Sequence, residues 1–135
     1  MFPDDLTTEV LAASLRGHSA RNAALANNIA NAETPGYKRV DVQFEAALAE
    51  AVQNDRARLR RDAAPGAGIM SVADEVGGTT PSVRSVDTTT MRADGSNVDP
   101  DDEMAQLSAN QLAHQTVISL LDKRFTQFRT AITGR

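Results

Sequence analysis

The chain has no cysteine and no tryptophan, and only one tyrosine and four phenylalanines among its 135 residues. Without cysteine there is no disulfide framework, no thiolate nucleophile and no cysteine-based zinc site. With so few aromatics the core has to come from Leu, Ile, Val and Ala, which suits thin helical packing and an elongated shape better than a thick globule. Basic residues are also outnumbered: 14 Lys and Arg against 18 Asp and Glu leave a formal charge of -4. The basic face of a nucleic-acid module is therefore not expected. The one basic run, Arg56, Arg58, Arg60 and Arg61, is bracketed by Asp55 and Asp62 and reads as a solvated surface. No apolar stretch reaches membrane-spanning length, so direct membrane insertion is not expected. The start, Met1-Phe2-Pro3-Asp4-Asp5, has neither the basic nor the apolar part of a secretory signal, so no cleaved signal peptide is expected.

What the chain does have is heptad periodicity at both ends. Met104, Leu107, Gln111, His114, Ile118, Leu121, Phe125, Phe128 and Ile132 follow one another at alternating steps of three and four, the spacing of a coiled-coil seam. Leu11, Leu15, His18, Asn22, Leu25 and Ile29 keep the same alternation near the N-terminus, with polar residues again interrupting the apolar run. If the chain leaves the first helix near Asn31 and re-enters the second near Pro100, the helices run antiparallel. One register then sets Leu11 against Leu121, Leu15 against Ile118, His18 against His114, Asn22 against Gln111, Leu25 against Leu107 and Ile29 against Met104. Slipping by a heptad would leave polar groups against apolar ones, at roughly 1 to 3 kcal/mol each. The polar layers are expected to lock the register.

The predicted fold is mainly α, a hairpin of long antiparallel N- and C-terminal helices with a largely extended or irregular central insertion over 32–98, forming a single domain over 1–135. The first helix is predicted over 7–31, capped by Thr7 or Thr8. Thr34 before Pro35, then Gly36, signals a tight turn. Phe44, Leu48 and Val52 predict a short amphipathic helix within Asp41 to Gln53, and 54–98 reads as an extended excursion with a short hairpin around Pro81 to Met91. Asp99 as cap, Pro100 at the first helical position and acidic Asp101, Asp102 and Glu103 open the last helix, predicted over 99–133. It outruns the first helix, so Phe125, Phe128 and Ile132 have only Met1, Phe2 and Leu6 as seam partners. That overhang is a candidate subunit contact. Such a hairpin buries little apolar surface, so its stability is expected to come from assembly.

The segment Asn27-Asn28-Ile29-Ala30-Asn31-Ala32-Glu33-Thr34-Pro35-Gly36-Tyr37-Lys38 closely resembles the signature of the flagellar rod and hook axial proteins. Ser96-Asn97-Val98-Asp99, leading through Glu103-Met104 to Asn110-Gln111-Leu112, narrows the resemblance to subunits of the proximal rod. Ser96 and Pro100 are less usual at their places. The resemblance implies a structural subunit of the flagellar basal-body rod, polymerising helically into the shaft that transmits torque. It implies export without cleavage through the flagellar type III apparatus and a place in the rod where it crosses the periplasm. As partners it implies further copies of the chain, other rod subunits (FlgC-like and FliE-like among them), the export apparatus and the MS ring. No cofactor is implied. Of the signature residues, Asn27, Asn28 and Asn31 cap and hydrate a helix end or bond to neighbouring subunits, Pro35 and Gly36 form the turn, and Tyr37 is expected to anchor across an interface.

Three rival readings bear on this. An enzyme or metal site could start from a His18–His114 layer, but two ligands are too few, and Asn22 and Gln111 stand where a carboxylate would be needed. A coiled-coil adaptor or export chaperone would need only the seams and not the Asn-rich turn. A sibling rod subunit would keep the class and change only the position in the stack.

Overall fold

A computed structural model of the chain describes residues 6–62, 76, 78–87 and 95–134, apart from the side chains of 55, 56 and 58–62. The described chain is mainly helical: α1 (Leu6–Ala30), β1 (Val40–Gln43), α2 (Glu45–Asp62), β2 (Ser82–Ser85) and α3 (Pro100–Thr133). None of these helices is long and apolar enough to cross a membrane. The basic run Arg56 to Arg61 lies on α2, with its arginine side chains outside the description. Met1, Phe2 and Met91, invoked above as seam partners and hairpin end, are also outside the described residues.

The end of α1 and both ends of α3 have local causes, whereas Thr7 and Thr8, expected as caps of the first helix, lie inside α1, which is already helical at Leu6. Past Ala30, the Asn31 N–H still donates to the Asn27 carbonyl at 3.1 Å, and the Thr34 N–H donates to the Asn31 carbonyl at 2.9 Å. The Tyr37 N–H then closes on the Thr34 carbonyl at 3.2 Å, with Gly36 at φ 72. Proline second and a left-handed glycine third is the type II turn pattern, which a side chain at position 36 would strain. At α3, the Asp99 carboxylate accepts from the Asp101 N–H at 3.0 Å, Pro100 takes the first helical place, and left-handed Gly134 ends the helix.

The centre departs from the expected excursion. Asp41 to Gln43, expected as the start of a helix, is strand, and the helix that follows starts later and runs nine residues past Gln53 to Asp62. Of the stretch Pro81 to Met91, where a short hairpin was expected, Ser82–Ser85 is a strand in a long-range pairing, and 88–91 lie outside the described residues. In that pairing β1 runs antiparallel to β2, with Val42 opposite Val83 and Val40 opposite Ser85. Alternation over such short segments is visible in sequence, but the partner of a strand four residues long is set by what it packs on.

A core forms between α2 and the first half of α1. Ala13, Leu48, Ala51 and Val76 are buried together, with Leu6, Val10 and Val52 against them. Close approach depends on Gly17, since a β-carbon there would stand 2.3 Å from the Phe44 ring. The same ring meets His18 edge-on at 5.1 Å between centroids and has the Arg21 guanidinium 4.8 Å from its centroid. Arg21 continues to Glu45, donating to both carboxylate oxygens at 2.5 and 2.7 Å, and to the Val42 carbonyl at 2.7 Å. These hydrogen bonds lead the causes that hold Glu45 well below its usual 4.5, at about 2, and that raise the Arg21 guanidinium.

Two outcomes follow from this packing. Gly17→Ala should lower stability by about 1 to 3 kcal/mol, the usual range for overpacking, read from the urea midpoint of helical circular dichroism; an unchanged midpoint would show that Phe44 moves aside freely. The folded carboxylate of Glu45 titrates lower than the unfolded one, so its contribution is complete above about pH 4.5 and is lost as pH falls towards about 2. Because Glu45 is exposed the contribution is small. Glu45→Gln should flatten that part of the pH profile of melting, and parallel profiles for the two proteins would refute the assignment.

Candidate functional site

The signature segment closes on the start of α3 through one buried amide and one buried carboxylate. Asn28 is fully buried near the end of α1, where its position on the helix turns it toward β1. Its side-chain amide donates to the Val40 carbonyl at 2.8 Å and to the Glu103 carboxylate at 3.0 Å. Its oxygen accepts from the Val40 N–H at 2.9 Å and from the Tyr37 hydroxyl at 3.2 Å. All four hydrogen-bonding positions of the amide are used. Glu103 is 1% exposed and takes the Arg39 guanidinium on its other oxygen. Arg39 also donates to Gln106 at 2.8 Å, so the residue just before β1 is tied to the first turns of α3 twice.

Asn97 completes the join. Its oxygen accepts from the Arg39 N–H at 2.6 Å, and its amide donates to the Val86 carbonyl at 2.5 Å. Beside it the Val86 N–H reaches the Arg39 carbonyl directly at 2.8 Å. The Asn97 side chain is thus inserted into the ladder one step beyond Val40 and Ser85, replacing one strand-to-strand bond by two. Lys38 donates to the Gly95 carbonyl at 2.8 Å from the other side of the segment. Tyr37 is half-buried and accepts from Asn27 at 3.2 Å while donating to Asn28. Burial, and next the Glu103 charge, push its hydroxyl pKa up. Asn31 donates back to the Asn27 carbonyl at 2.8 Å and to its side-chain oxygen at 3.0 Å. The hydroxyl of Tyr37 and the amide of Asn28, considered above for contacts with neighbouring subunits, are engaged within the chain.

Between the long helices the heptad spacing is present, but rotated by one residue on α3. Asn110, not Gln111, meets Asn22, donating to its side-chain oxygen at 2.8 Å. Asn110 also donates to the His18 carbonyl at 2.9 Å and pairs through its oxygen with His18 Nδ1 at 2.7 Å. Since the Asn110 oxygen can only accept, His18 carries the proton on Nδ1. His18 therefore takes Asn110 where His114 was expected, and His114 lines a cavity with Leu15, Arg16, Ser19, Ala20, Ala23 and Pro81. Of the expected seam on α3, Leu107, His114, Leu121 and Phe128 are half-buried. Met104, Gln111, Ile118, Phe125 and Ile132 are exposed, with Ile118 at 39%, Phe125 at 42% and Ile132 at 78%. On α1, Leu25 is buried and Leu11, Leu15, His18, Asn22 and Ile29 are half-buried. The expected facings of Met104, Gln111 and Ile118 give way because Glu103 and Asn110, one residue before Met104 and Gln111, take polar partners on α1 and fix the rotation of α3.

Sequence reasoning quoted Glu103, Asn97 and Asn110 within the motif but gave them no partners, and passed over Arg39, Gly17 and the Arg21–Glu45 pair. The available signal was a buried-type spacing of polar residues, Glu103 and Asn110 seven apart, beside an apolar one. Among the described residues no group of three His, Asp or Glu is placed to hold a metal ion. The arrangement joins the end of α1, the residue before β1 and the first turns of α3 through buried hydrogen bonds and one ion pair. Glu103→Ala would leave Arg39 without its buried counter-charge, and the expected loss is about 3 to 5 kcal/mol in chemical denaturation. A loss below about 1 kcal/mol, the range of an exposed pair, would mean that water replaces the carboxylate.

Comparison with known proteins gives the signature segment a context. The family profile "Flagella basal body rod protein" matches residues 17–38, which span the second half of α1, the type II turn and Tyr37. The chain is 36% identical over 136 aligned positions to the flagellar basal body rod protein FlgB of Cereibacter sphaeroides, covering 98% of this chain and 97% of that protein. It is 27% identical to FlgB of Bacillus subtilis, with 95% and 94% covered, and 32% identical to FlgB of Borrelia hermsii, with 84% and 86% covered. Identity of this order over nearly the whole of both chains shows the family: the chain belongs to the FlgB family of flagellar basal-body rod proteins, which are structural subunits and not enzymes.

Proposed function

We propose that α1 and α3 form an antiparallel coiled-coil hairpin and that this hairpin is the polymerising element of a proximal-rod subunit. The order of contacts supports the pairing: Asn28, late in α1, meets Glu103, early in α3, whereas His18 and Asn22 meet Asn110 further along. The observation that carries the polymerising role is the second, uncovered heptad on α3, in which Met104, Ile118, Phe125 and Ile132 recur every seven or fourteen residues and remain exposed. A regular apolar stripe of this kind on a single subunit fits a surface completed by other subunits.

In this reading the subunit leaves the cytoplasm uncleaved through the flagellar type III apparatus and joins the rod where it crosses the periplasm. Its neighbours are further copies, FlgC-like and FliE-like subunits, and the MS ring at the base. Torque passes along the long helices, and the Asn28–Glu103–Arg39 junction keeps their ends from splaying. Tyr37, engaged inside the chain, serves the junction and not a neighbour. Overhang residues Phe125, Phe128 and Ile132 extend the contact beyond the α1 pairing; the Arg124 guanidinium 4.9 Å from the Phe128 ring centroid stiffens that end.

Deleting the gene should abolish swimming and leave basal bodies without a complete rod, and the wild-type chain should restore both. Replacing Phe125 and Phe128 together by Ala should impair incorporation into the rod more than export into the periplasm, measured by immunoblots of isolated basal bodies and periplasmic fractions. Normal rods in the double variant would rule out the overhang as a subunit contact.

A further inference from the structure

The two strands differ in what lies along their outer sides. The Val86 N–H on the Arg39 carbonyl fixes the phase of the ladder, so Arg39, Asp41 and Gln43 turn their backbone groups toward β2, whereas Val40 and Val42 turn theirs away from it. That outer edge of β1 is sealed by side chains. Asn28 takes both the N–H and the C=O of Val40, at 2.9 and 2.8 Å, and Arg21 donates to the Val42 carbonyl at 2.7 Å. By the same alternation Val83 and Ser85 turn their N–H and C=O groups away from β1. No described residue bonds to them. β2 is exposed at every position, Val83 at 64%, and Arg84 makes no ion pair among the described residues although Asp41 stands opposite it in the register. A strand edge with unpaired backbone groups is a template for a further strand.

We propose that the open edge of β2 takes up a third strand, an extended segment of a protein other than this chain, with an apolar side chain beside Val83 and an acidic one beside Arg84. The proposal rests on the reading of the chain as a rod subunit and adds to it a surface away from the two long helices. A second copy offers no such strand from its described residues. Its β1 edge is sealed in the same way, and two β2 edges face each other only when one copy is turned half a revolution from the other, which copies repeating in one orientation along a shaft are not. The partner is therefore a different protein beside the rod. Backbone bonds at Val83 and Ser85 hold the incoming segment, and the uncompensated charge of Arg84 selects an acidic one. By closing β1, Asn28 leaves the sheet a single edge on which to grow.

Proline at position 83 removes an outward N–H and leaves the bonds to β1 in place, a substitution that edge strands accept. In the parent bacterium lacking its own copy of the gene, Val83→Ala should restore swimming and Val83→Pro should not, although purified Val83→Pro keeps the helical circular dichroism and urea midpoint of the wild type. A folded Val83→Pro that swims would overturn the proposal. Hydrogen exchange on the unaltered chain decides if Val83→Pro fails to fold. The Val83 and Ser85 amides should exchange freely in the isolated subunit and be protected in basal bodies, whereas Arg84 and Val86 are protected in both; free exchange of Val83 and Ser85 in basal bodies would overturn the added strand. With p-benzoylphenylalanine in place of Val83, illumination of basal bodies should join this chain to a different protein, and an adduct with the mass of two copies would overturn the choice of partner. Failure of the wild-type chain to restore swimming would overturn the rod reading and the inference with it, whereas each of the other negative results leaves the rod reading intact.

Discussion

A carboxylate withdrawn from water has to be matched, and Glu103 is the group on which the rest of the molecule is organised. At 1% exposure it accepts from Asn28 on α1 and from Arg39 just before β1. An ionised carboxylate buried without such partners would cost several kcal/mol. The requirement fixes three things together: the end of α1, the path of the signature segment into β1 and the first turn of α3. Asn97 and the Asp99 cap follow within a few residues and leave α3 little freedom in where it starts. Residues 96–98 are buried for the same reason, since they pass under the join.

Once that first turn is set, the orientation of α3 is set for its whole length. With Glu103 inward, Leu107, Asn110, His114, Leu121 and Phe128 come round to the α1 side, and Met104, Gln111, Ile118, Phe125 and Ile132 come round to solvent. One helix therefore carries two heptad stripes that share a boundary. The inner stripe is satisfied within the subunit as far as α1 reaches, partly by the amide of Asn110. The outer is apolar and regular and is left uncovered within the subunit, which is what the proposed contact between subunits draws on.

The other side of α1 is used differently. Gly17 and Ala13 let Phe44 and α2 approach closely, giving the subunit a small core of its own, and Arg21 ties the start of α2 to β1. The chain is thus less dependent on assembly for order than a bare two-helix hairpin would be. In a shaft that carries torque, helices buttressed along one side and latched at one end resist bending better than free ones.

The family signature, the type II turn at Thr34 to Tyr37, the capped start of α3 and the mainly helical class were legible in the residues themselves. All depend on local chemistry: proline and glycine dihedrals, side-chain caps and apolar periodicity act within a few residues. The face of α3 turned to α1 was not legible in the same way. A seam with steps of three and four looks the same when it is moved by one residue, and apolar count alone favoured Met104, Ile118 and Phe125. The choice was made by long-range pairing: Asn28 and Arg39 on the buried Glu103, and His18 and Asn22 on Asn110. The β1–β2 pairing and the Gly17–Phe44 contact were decided likewise by residues far apart in the chain. Sequence alone determined the two long helices, the cap of α3 and the family; tertiary structure decided which face of each helix is inside, because only folding shows which buried polar group finds its partner.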